Sequence, residues 1–134
     1  MKTIKTLCDS LEKKIEATYT TSLAPDEAEK LAAEFLHAQM TLSEELRVVE
    51  LDARMKKSGL KAVQAAVYMA ETQGKDKKPT EAALQHTINM DISVSGAQDA
   101  LDLAEVDKND LERCYEIFNN AHIFYRTLAK GKFE

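Results

Sequence analysis

The chain has 134 residues, enough for one domain with its own core, and carries 18 Lys and Arg against 23 Asp and Glu for a formal net charge of -5. With 31% charged residues, 44% apolar, four Gly, two Pro and no Trp, it reads as solvent-laced helices rather than sheets. Two cysteines far apart in sequence, Cys8 and Cys114, supply no disulfide framework, and no apolar run reaches the roughly 18–20 residues of a membrane span.

Ile4, Leu7, Leu11 and Ile15 recur at helical spacing and predict a first amphipathic helix over roughly residues 3–19. Its lysine-led start is broken by Asp9 and Glu12, so a signal peptide is not expected here. Residues 20–24 interrupt the period. Pro25 then suits a first helical turn, where its missing N–H has no partner to lose, and Asp26, Glu27 and Glu29 suit the positive end of the helix dipole. From there Ala28, Leu31, Ala32, Phe35, Leu42, Leu46, Val49 and Ala53 mark one face of a second helix. Gly59 could end it, but Leu60, Val63, Val67 and Ala70 resume the period. The expectation is a continuous or kinked helix to about residue 72, with the glycine costing roughly 1 kcal/mol relative to alanine.

Residues 73–79, with Gly74 and Pro79, read as a loop. Thr80 is the expected N-cap of a short helix carrying Leu84 and Ile88. In residues 91–96 the Ile92/Val94 alternation is strand-like but short and isolated, so a cap at Asp91 or Ser95 leading into another helix is the expectation. Beyond them Val94, Ala97, Leu101, Ala104, Leu111, Phe118 and Tyr125 keep a near-heptad step over some 35 residues, about 50 Å of helix. The predicted fold is all-α: one helical domain, a short N-terminal helix followed by a long helical hairpin. Leu36, Met40, Leu51, Met55, Ile117, Ile123, Phe124 and Leu128 lie off the main stripes. Helices apolar on more than one face usually meet more than one partner, so a homo-oligomer is expected.

The charges are segregated. Seven of the 18 positive charges fall within residues 54–78: Arg54, Lys56, Lys57, Lys61, Lys75, Lys77 and Lys78, with Tyr68 among them. Residues 25–53 carry eight acids against Lys30 and Arg47, and residues 79–112 carry eight against Lys108. A basic island between acidic flanks localises a polyanion on one part of a protein that otherwise repels it. Lysine and arginine neutralise phosphates regardless of base sequence, and an exposed tyrosine stacks an unpaired base. Lys57, Lys61, Lys75, Lys77 and Lys78 are the candidate phosphate contacts, with Arg54 and Lys56 in support and Tyr68 as the stacking ring. The bland alternative for the same residues is solubility at a hairpin tip.

Little else points to chemistry. Glu34 and His37 share the i, i+3 spacing of di-iron bundles, but no second such pair exists and His86 and His122 lack an acid three residues before them. Scattered histidines and two distant cysteines give no zinc spacing. There is no Gly-x-Ser-x-Gly elbow and no phosphate-binding glycine loop. Glu44 with Glu45, or Asp99 with Asp102, read as solvated helix faces rather than an acid–base pair. An enzyme, a metal or another cofactor is not expected.

Ser43-Glu44-Glu45-Leu46-Arg47 followed by Glu50, Leu60-Lys61-Ala62 followed by Tyr68, Lys78-Pro79-Thr80-Glu81, then Asp91, Val94, Ala104-Glu105 and Ala121 with Arg126-Thr127-Leu128 form a layout. It resembles the small recombination mediators of tailed phages, the UvsY-type proteins that load a RecA-like recombinase onto single-stranded DNA. Val63 stands where that family tends to place an arginine, and this chain is more acidic. The resemblance implies a helical homo-oligomer without catalytic activity, in contact with single-stranded DNA, a recombinase and a single-strand-binding protein in the bacterial cytoplasm. The competing reading is an acidic helical interaction protein, an inhibitor of a host defence complex or a small virion or assembly component, with no DNA binding of its own.

Overall fold

The computed structural model describes residues 2–18, 23–74 and 76–131. Among them are four α-helices and no strand: α1 (Lys2–Thr18), α2 (Pro25–Thr72), α3 (Glu81–Met90) and α4 (Ile92–Gly131). The helices belong to two compact units, one of Met1–Val48 with Asn109–Glu134 and one of Val49–Lys108.

Local chemistry accounts for most helix ends. Pro25 opens α2 with Asp26 and Glu27 in the first turn, and Ala28 N–H already bonds the Ala24 carbonyl at 3.0 Å. At the other end Gln73 N–H reaches the Met69 carbonyl at 2.9 Å, and Gly74 turns the chain with φ +76°. That left-handed conformation favours glycine, because a Cβ there meets the neighbouring carbonyl. Thr80 caps α3 by accepting from Ala83 N–H at 3.2 Å. Asp91 resolves the ambiguous segment. Its N–H closes α3 on the Ile88 carbonyl at 3.2 Å, and its Oδ1 accepts from Ser93 and Val94 N–H at 2.8 and 3.3 Å. One extended residue ends α3 and starts α4, so the Ile92/Val94 alternation belongs to the first turn of a helix.

The long helices are held by heptads. Ala28, Phe35, Leu42 and Val49 are buried at steps of seven on α2, with Ala32, Gln39, Ala53 and Leu60 as a second row. On α4 the buried rows are Val94 and Leu101, Ala104 to Tyr125 in sevens through Leu111 and Phe118, and Cys114 with Ala121. A sustained seven-residue repeat keeps the apolar seam on the partner helix within each unit. It also explains why α2 passes through Gly59 without a break: Ala53, Leu60 and Val67 continue the row on either side of it.

In the first unit α1, α2 and α4 surround an aromatic centre. Phe35 packs against Phe118 and Tyr125 with ring centroids 5.5 and 5.6 Å apart. Tyr125 Oη shares a hydrogen bond with Thr18 Oγ1 at the end of α1, and Lys14 pairs with Glu34 across α1 and α2 at 2.7 Å. Gln39, the buried polar side chain of the seam, donates from Nε2 to Asn119 Oδ1 at 3.1 Å. A polar residue in a heptad core sets register at a cost in stability. In the second unit Leu60, Ile88, Val94 and Leu101 form the core, with Val63, Val67 and Ala97 packed against it.

Candidate nucleic-acid interface

The second unit fixes the roll of α2 through Leu60, Val63 and Val67, which face the α3–α4 side. Rotation by about 100° per residue then decides where each charge emerges. Arg54, Lys57, Lys61 and Tyr68 follow at steps of three, four and seven, so they share one flank, and all four are exposed. They form a stripe about 21 Å long. Tyr68 keeps 40% of its surface open, enough to offer a ring face. Lys77 and Lys78 are exposed in the segment between α2 and α3, whereas Lys75 lies outside the described residues.

Lys56 is the exception among the described cations. One residue from Lys57, it turns to a different flank and lines a groove of about 330 Å³ with Asp52, Met55, Gly59 and Ala100. The geometry therefore separates it from the stripe. None of Arg54, Lys56, Lys57, Lys61, Lys77 and Lys78 is held in an ion pair by another described residue. Their ammonium and guanidinium groups remain in water, free to attract a polyanion without first giving up a partner.

The other constellations resolve differently. Glu34 is held by Lys14, while His37 three residues on is exposed. His122 Nδ1 lies 2.9 Å from the Ala32 carbonyl and so donates to it, tying α4 to α2. Asp102 accepts from Gln98 at 2.9 Å, one helical turn away. Among the described residues no three His, Cys, Asp or Glu side chains are grouped to hold a metal ion, and no helix is long and apolar enough to cross a membrane.

Two features were not visible in the sequence. Cys8 and Cys114, distant in the chain, are both free and buried, and their thiols lie close enough to influence one another. Burial first, and then the neighbouring Cys114, push the Cys8 thiol up to about 12. The thiolate is the reactive form of cysteine, so this one is inert at neutral pH. The second feature is the fate of the off-stripe apolar residues. Ile117 and Leu128 are half-buried, whereas Leu36, Met40, Leu51, Met55, Ile123 and Phe124 are exposed. In the first unit Leu36 and Met40 of α2 and Tyr115 and Ile123 of α4 line one groove of about 620 Å³, with Glu44 and Arg126 as its acidic and basic side chains. Sequence periodicity identified Leu36, Met40 and Ile123 as surplus to the core but could not place them together or bring Tyr115 beside them.

No family model matches the chain, and neither a curated protein nor a solved structure is significantly similar to it.

Proposed function

We propose that this protein is a non-catalytic accessory factor of phage-type recombination, which binds single-stranded DNA without sequence preference and helps a RecA-like recombinase assemble on it. The observation that carries the reading is the stripe of Arg54, Lys57, Lys61 and Tyr68 on one exposed flank of α2, followed by Lys77 and Lys78. Cations in a row meet successive phosphates, and a ring beside them stacks a base. The acidic remainder of the chain, at a net charge of -5 overall, repels nucleic acid elsewhere and confines it to the stripe. One stripe of this size is a weak site. A homo-oligomer presents several to one strand, and linked sites act at high effective concentration. The recombinase and the single-strand-binding protein come from the sequence resemblance.

Fluorescence anisotropy with a labelled single-stranded oligonucleotide tests the DNA role. Binding is expected at low salt and falls as salt rises. Changing Lys57, Lys61, Lys77 and Lys78 together to alanine is expected to weaken it more than tenfold. The same change is expected to reduce the salt slope by about 3, near 0.7 for each phosphate left unneutralised. Absence of binding at low salt, or an unchanged slope in the variant, refutes the role. Capture of a host effector through the acidic faces, with no recombinase bound, would establish the competing interaction-protein reading.

A further inference from the structure

The open face of the first unit, on the side of α2 and α4 that α1 does not cover, has an arrangement that core packing does not require. Lys14–Glu34 and Thr18–Tyr125 place α1 on one side of the α2–α4 pair. On the other side Glu29, Leu36, Met40 and Arg47 follow one another along α2 at steps of seven, four and seven, and all are exposed. Leu36 and Met40 keep 46% and 63% of their surface open, too much for residues that complete a core. Beside them on α4 stand Tyr115 and Ile123.

This line is symmetric about residue 38, with its charges reversed. Turned end for end about that point, Leu36 falls opposite Met40 and the acid Glu29 opposite the base Arg47. The groove beside it is also oppositely charged at its two ends but in the reverse sense, with Glu44 toward the Arg47 end and Arg126 toward Glu29, beside which Arg126 and Lys130 line a second groove. An isologous two-fold interface needs such a surface, because one patch must complement its own reversed copy. A foreign helix imposes no such symmetry.

We infer that this face joins two copies of the chain, with the two α2 helices antiparallel, Leu36 against Met40 of the second copy at the centre and Glu29 against Arg47 of the second copy at each end. Glu29 to Arg47 spans about 27 Å of helix, and two packed helices present a face about 20 Å wide. Roughly 500 Å² per copy, or about 1,000 Å² per pair, reaches the lower limit of a specific interface. The inference does not rest on DNA binding and is tested without DNA.

Sedimentation equilibrium measures it. The wild-type chain is expected to sediment at twice its 15.0 kDa. Met40→Glu puts a carboxylate in the apolar centre and is expected to raise the dimer Kd about 100-fold, with unchanged helical circular dichroism because the site is exposed in the monomer. Arg47→Glu sets like charges together at both ends and is expected to raise Kd about tenfold. Combining it with Glu29→Arg restores opposite charges only across the two-fold, since the two positions are too far apart to pair within one chain. The double variant is expected to return to within about threefold of wild type. A monomer at every concentration, an odd-numbered assembly, a Met40→Glu variant that still dimerises, or a double variant no better than Arg47→Glu alone would each overturn the proposal. A monomer would remove the avidity argued for DNA binding, but none of these results measures the basic stripe's own affinity for DNA.

Discussion

The two units use the same heptad helices for different interiors. The first has an aromatic centre of Phe35, Phe118 and Tyr125, cross-helix bonds from Gln39, His122 and Thr18, and a buried thiol pair. Among its described residues the second buries only aliphatic side chains and alanine, and the aromatic ring it carries, Tyr68, is exposed. Large rings fill a wide three-helix interior and make it intolerant of loss, while the hydrogen bonds between them allow one register. A small aliphatic core holds helices with less area, which leaves much of each helix surface to water and charge. The specific geometry of this protein is thus concentrated in the first unit, and its basic surface in the second.

That contrast breaks most readily at Phe35. It is fully enclosed, and Phe35→Ala is expected to cost about 3–5 kcal/mol, the ordinary range for a buried phenylalanine. Leu60→Ala in the second unit is expected at the lower part of the roughly 2–5 kcal/mol range for leucine. Urea unfolding monitored by circular dichroism ranks them, and an equal or reversed order would remove the asymmetry between the cores. Alkaline pH offers a second probe of the first unit. The Cys8 thiol ionises near 9.0 when unfolded and at about 12 when folded. Below pH 9 both states hold the proton and the contribution is fully present. As pH rises from 9 toward 12 only the folded state keeps it, so stability falls. Cys8→Ala is expected to flatten that part of the pH profile, and a profile identical to wild type would show that the thiol is not the source.

The smallest effect belongs to the second unit. A Cβ placed on Gly59 meets nothing within 4 Å, and the residue sits inside a continuous helix. Gly59→Ala is therefore expected to stabilise by about 0.5–1 kcal/mol through loss of unfolded-state freedom, read as a rise in the thermal midpoint. A fall would mean that the absent side chain matters to something docking there.

Periodicity and caps were legible in the chain. Pro25 with its acids, Gly74, Thr80 and the apolar rows are local signals, set by which backbone groups lack partners and by the 3.6-residue turn. The basic residues were equally visible, and so was the side shared by Arg54, Lys57 and Lys61, which fall at steps of three and four. What the packing of Leu60 and Val63 adds is that Lys56, one residue from Lys57, lines the groove with Gly59 and Ala100.

The sequence alone determined that this protein is helical, where three of its four helices start, and which residues are surplus to a single seam, because capping and amphipathicity act within a few residues. Tertiary structure decided that Cys8 meets Cys114, that Gln39 finds Asn119, and that Leu36, Met40, Tyr115 and Ile123 share one face. Those are meetings between distant segments. Each depends on how two helices are rolled against one another, and roll is set by the shape of the whole interior rather than by any local stretch of chain.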